Sequence, residues 1–172
     1  MPQSLDSQLI SVAVAATVNN PLDLQNVASP LNLASSYGWS TGNGAGQADR
    51  LFSDTRTIAP SGTDSLDLAG VLIDPVGTTL ALARVKLILI RAAAANTNNV
   101  IVGGVANGLA AGPILPQTTG QVVVRPGGLL LVTAPDVTAY VVTAATGDLL
   151  QVANSGAGTS VTYDVVLIGS SV

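Results

Sequence analysis

Aliphatic side chains recur at every second position along this chain, and turn residues break the runs every ~8–12 residues. Ile10, Val12, Val14, Ala16 and Val18 alternate with Ser11, Ala13, Ala15 and Thr17. A strand built from them carries one face of larger and one of smaller side chains. Further strands are expected at Ala48–Ile58, Ser65–Leu68, Thr79–Ala93, Val100–Val102, Gln121–Val124, Leu129–Thr133, Thr138–Thr143, Leu149–Ala153 and Val161–Ile168. Thr79–Ala93 is apolar at both parities, as a strand covered on two faces would be. Arg125-Pro126-Gly127-Gly128, with Pro second and Gly third, matches a type II turn. Four glycines (Gly103, Gly104, Gly108 and Gly112) make Gly103–Ala111 a poor helix.

Between Asn19 and Gln47 the alternation dissolves, with Leu22, Leu24, Leu31 and Leu33 as the only anchors before the glycine run Gly42–Gly46. A stretch of that length without periodicity reads as a contact loop. The expected fold is therefore all-β, an antiparallel two-sheet β-sandwich of jelly-roll-like type. Residues 48–172 form the sandwich, and residues 1–47 form an N-terminal strand and an extended contact loop or arm.

The chemical inventory is narrow. The 172 residues include no histidine, cysteine or glutamate, and Lys86 is the single lysine. That removes the commonest general base and the commonest transition-metal ligands, so neither enzyme chemistry, a cofactor nor a metal is expected. A serine nucleophile would have only Lys86 as a conventional base, and Lys86 falls within a strand. Asp64, Asp67 and Asp74 are close in sequence without the spacing of a calcium loop, and read as strand and turn residues. Gly42–Gly46 lacks dinucleotide-loop spacing, and Gly156–Ser160 lacks the phosphate-binding lysine.

Five arginines and one lysine, scattered through a chain of net charge −4, make no stripe for nucleic acid. Arg84, Lys86 and Arg91 interrupt the most apolar stretch, Leu80–Ala95, so a membrane span is not expected. Met1–Asp6 lacks the basic start of a secretory signal, which points to synthesis in a cytoplasm.

Charged residues make up 9% of the chain against about 25% in ordinary domains. Apolar residues reach 48%, and mean hydropathy is +0.52. A surface so short of charge is expected to be covered by other protein, and hence to form an oligomer. Four residues are candidate partner contacts. Tyr37 and Trp39 lie in the long loop, where they either fold back over the sandwich or anchor a partner. Arg84 and Lys86 share a strand parity and are expected to meet carboxylates on an adjacent strand or subunit.

Several stretches taken together carry a family texture. They are Gly44-Ala45-Gly46-Gln47-Ala48-Asp49, Phe52-Ser53-Asp54-Thr55-Arg56-Thr57, Leu66-Asp67-Leu68-Ala69-Gly70, Arg84-Val85-Lys86, Val124-Arg125-Pro126-Gly127-Gly128 and Asn154-Ser155-Gly156-Ala157-Gly158-Thr159. From about Tyr37 to the C-terminus the chain resembles small virion proteins of tailed bacteriophages, in particular those of the capsid decoration or cement type. The resemblance implies a β-sandwich on the outside of an icosahedral head, often trimeric at local three-fold positions. It also implies the major capsid protein as partner. A tail or fibre module that binds a host receptor is the alternative within the same resemblance, with Trp39 suited to a recognition loop.

Overall fold

The computed structural model describes residues 5, 8–109, 115, 117 and 119–172. Among them are strands and turns, with no helix. The strands are β1 (Gln8–Pro21), β2 (Asn26–Thr41), β3 (Gln47–Ala48), β4 (Arg50–Ile58), β5 (Thr63–Asp67), β6 (Leu72–Ile73) and β7 (Thr79–Leu80). They continue as β8 (Arg84–Ala92), β9 (Val100–Gly103), β10 (Gln121–Val124), β11 (Leu129–Thr133), β12 (Tyr140–Val141), β13 (Leu149–Asn154) and β14 (Val161–Ser170).

Two antiparallel sheets make the body. One runs β11-β8-β14-β4, with β12 pairing β8 beyond the end of β11, and the other runs β10-β9-β13-β5. Among β4, β5, β8, β9, β10, β11, β13 and β14, successive strands change sheet at every link except β9 to β10, which pair antiparallel within one sheet. Alternation explains the packing. Phe52, Ile58, Ile88, Ile90, Val161, Tyr163, Val165 and Leu167 from the first sheet meet Leu66, Val100, Val102, Val124, Leu150 and Val152 from the second in one buried cluster. The body is thus β-sandwich-like, as the strand periodicity implies.

One departure from the sequence reading has a local cause, and two of its local readings hold. The run Thr79–Ala93 is not one strand, because β7 pairs with β6 before the chain bends and Leu82 N–H donates to Leu68 O at 2.8 Å. Arg125–Gly128 does turn, with Gly127 at φ +74° and Gly128 N–H donating to Arg125 O at 2.7 Å, but it carries the chain from one sheet to the other. Of Gly103–Ala111, residues 103–109 are non-helical, with Gly103 and Gly104 both at positive φ, while Ala110 and Ala111 lie outside the described residues. So does most of the Met1–Asp6 segment.

The largest correction concerns residues 19–47. Most of this supposed loop is β2, paired with β1 in unbroken register from Gln8↔Trp39 to Pro21↔Asn26. Pairing supplies what β2 lacks in its own sequence. Its Leu31 and Leu33 fall opposite Ala16 and Val14, on the same face as Val12 and Val18. From Ser11 to Ser36 this two-stranded ribbon is exposed throughout.

Candidate interaction surface

The outer face of the β11-β8-β14-β4 sheet is also apolar. Leu87 and Ile168 on it are buried together with Trp39 and Ala48, and Ile10, Tyr37, Leu51, Leu89, Leu131 and Val166 pack around them. The root of the ribbon therefore sits on the back of the sandwich, holding the Trp39 ring at 3% exposure. Tyr37 is half-buried beside it. Of the two readings of these rings, folding back over the sandwich is what the chain does, and the Trp39 ring is not presented to a partner.

A β-bulge fixes the same region. Ile168 pairs with Leu87 but the next residue, Gly169, pairs with Val85, which leaves Lys86 as the extra residue of β8. A bulge re-aims the side chain it carries. Lys86 is completely buried, and its Nζ donates to Gly44 O in the glycine run that follows the ribbon. Burial pushes the ammonium below its usual pKa and Arg84 adds to that, while Asp136 and Asp49 pull the other way. The neighbouring loops close over it. Gly46 N–H donates to Pro135 O at 2.8 Å, Asp49 N–H to Gly169 O at 3.0 Å, and Ala134 N–H to Lys86 O at 2.8 Å.

The carboxylate partners expected for Arg84 and Lys86 are not found among the described residues. Among the described residues neither forms an ion pair, and Arg84 Nε is buried without a hydrogen-bond partner. Lys86 takes a backbone carbonyl instead because the bulge points it at the ribbon's base rather than across the sheet. Lys86 is consequently a tether inside the chain, and Arg84 remains half-buried at the start of β8.

The carboxylates are engaged elsewhere. Asp64 accepts from Arg56 Nε at 2.7 Å and from the Tyr163 hydroxyl at 2.9 Å, while Asp54 lies 3.7 Å from the same guanidinium. Burial first, and the Asp64 carboxylate second, push the Tyr163 phenol well above its usual pKa. Asp67 accepts from Ala69 N–H, and Asp74 from the N–H groups of Val76 and Thr78, so both shape turns. No group of three or more potential metal-ligating side chains occurs among the described residues. No helix there is long and apolar enough to cross a membrane.

What stands out beyond the root is the ribbon itself. Val12, Val14, Ala16, Val18, Val27, Leu31 and Leu33 share one face with Ser29 and Ser35. The opposite face carries Ser11, Ala13, Ala15, Thr17, Ala28, Pro30, Asn32, Ala34 and Ser36. Asp23 is the only charged residue between Gln8 and Ala48. The aliphatic face overhangs the β11 edge, and Val12, Val14, Leu33 and Tyr37 there line a notch with Leu131 and Thr133. The sequence signal for this surface was the Ile10–Val18 alternation; its β2 half was hidden by Ser29, Asn32 and Ser35.

No family model, curated protein or solved structure matches the chain. The interaction surface is therefore interpreted from its own chemistry. It is a long aliphatic face without charge, fastened at one end to the sandwich-like body.

Proposed function

We propose that this chain is a structural virion protein of a tailed bacteriophage, a decoration or cement protein that binds the outside of the head and stabilises the capsid lattice. One observation carries the reading: the ribbon exposes an aliphatic face with a single charge in its whole length, a surface that needs other protein to cover it. The strand order adds support for a jelly roll. With the eight main strands counted in chain order, the first, third, sixth and eighth share one sheet and the second, fourth, fifth and seventh the other. That is the order of two interlocked Greek keys, a body suited to packing on a shell. The ribbon is then the N-terminal arm, and the major capsid protein and further copies of this chain, as trimers, are its partners. With Trp39 buried, its ring lends no support to the tail or receptor-binding alternative.

Cryo-EM of the intact particle tests the proposal. Density for this chain is expected on the outer surface of the head, at sites bridging capsomers. Density confined to the tail or to the head interior overturns it.

A further inference from the structure

The ribbon's aliphatic face alternates large and small side chains, which suits it to meet a copy of itself. Along β1 the bulky Val12, Val14 and Val18 are interrupted by Ala16; along β2 Leu31 and Leu33 are flanked by Ser29 and Ser35. The face is thus a row of ridges with gaps beside them, and the leucines of an identical ribbon can seat over the small residues of the first. Charge points the same way. With Asp23 out at the turn and no other charge from Gln8 to Ala48, two copies meet without repulsion. An oppositely charged partner, by contrast, has nothing to recognise.

Area and continuity complete the case. Val18 is 71% exposed, Leu33 61%, Leu31 55% and Val14 50%. Val27 at 47% and Val12 at 38% extend the face, so exposed aliphatic side chains run along the length of the ribbon, and a standard interface covers about 800 Å² per partner. It also continues a surface the fold already uses, since Ile10 and Tyr37 on the same face pack against the outer sheet at the root.

We propose that the N-terminal ribbon is the self-association element of this protein, the Val12–Val18 and Leu31–Leu33 faces of neighbouring copies packing together about their shared axis. The small-residue face, with Ser11, Thr17, Asn32 and Ser36, stays toward water. This deepens the assembly half of the proposed function and rests on the chain alone, so its test uses purified full-length protein without shells and can fail independently of head binding.

Sedimentation velocity between about 1 and 100 µM should show a concentration-dependent oligomer for the parent chain. Val18→Asp combined with Leu31→Asp lies well out on the ribbon, away from the root. It should weaken association at least ~100-fold, which corresponds to about 2.7 kcal/mol. The chain has no cysteine of its own, so an introduced pair of probes reads the face directly. Val18→Cys should form an inter-chain disulfide on mild oxidation, and Thr17→Cys, on the opposite face, should form several-fold less. A parent that stays monomeric across the range overturns the proposal and leaves the face to a foreign protein. An oligomer that survives the double substitution, or equal cross-linking from both cysteines, overturns it as well.

Discussion

Lys86 and Tyr163 are both fully buried polar side chains, and they use burial in opposite ways. Lys86 is charged in water and loses hydration in the fold, recovering one carbonyl contact at the base of the ribbon. Tyr163 is neutral in water and keeps its proton in the fold, donating it to Asp64. The phenol leads to a pH prediction. An unfolded chain ionises this tyrosine near pH 10, whereas the folded chain does not, so above pH 10 the unfolded state binds fewer protons and stability falls as pH rises. Tyr163→Phe should cost about 1–2 kcal/mol at pH 7 by removing a buried hydrogen bond to a carboxylate. The gap between parent and variant should then narrow as pH climbs past 10. Urea unfolding at pH 7 and at several values up to about pH 11 measures it; a gap that stays constant would show the phenol is not held protonated. That Lys86 and Trp39 were special was legible in the sequence, as the only lysine and the only tryptophan. Where they point was not, because a bulge and a covering hairpin depend on which strands pair.

The body strands could be read because each buries alternate residues on its own account, and β13, with Leu150 and Val152 inward, is a clear case. β2 could not be read, because its apolar face exists only once β1 supplies Val12, Val14 and Val18 beside Leu31 and Leu33. The bulge between β8 and β14 is the other feature that single-strand reasoning misses. Before it Val85 faces the core, and after it Ile88 and Ile90 do, an inversion of parity in one residue. Gly169 is the residue that permits it. A Cβ there would stand 2.2 Å from Arg84 O and 2.8 Å from the Leu82 side chain. Backbone on a paired strand cannot yield as a flexible side chain would. Gly169→Ala should therefore cost about 1–3 kcal/mol or more by overpacking. The cost should reach the root as well, since Asp49 N–H donates to Gly169 O. Thermal unfolding together with Trp39 fluorescence checks both, with a lower Tm and a more solvent-exposed indole expected. An unchanged Tm would mean that the bulge relaxes freely.

At the scale of the molecule, the structure divides labour between a sandwich with a single continuous core and a ribbon that adds little to it. Beyond Tyr37 the ribbon faces the body at a notch, where Val12, Val14 and Leu33 line a space with Leu131 and Thr133. A lone two-stranded ribbon is marginal in water, so the stability of the whole should reside in the sandwich and the root. Replacing residues 15–32 with an Asn-Gly turn, so that Val14 and Leu33 remain paired, tests this directly. Removing that much exposed aliphatic surface gives up almost no burial. Tm should stay within about 4 °C of the parent, equivalent to about 1–2 kcal/mol at this size. Self-association should disappear in the same variant, because Val18 and Leu31 leave with the excised segment. A Tm drop of more than about 10 °C would place the distal ribbon inside the cooperative unit. An undiminished oligomer would move the self-contact elsewhere on the sandwich. The two readouts separate because folding draws on the faces turned inward, while the proposed assembly draws on a face the chain leaves exposed.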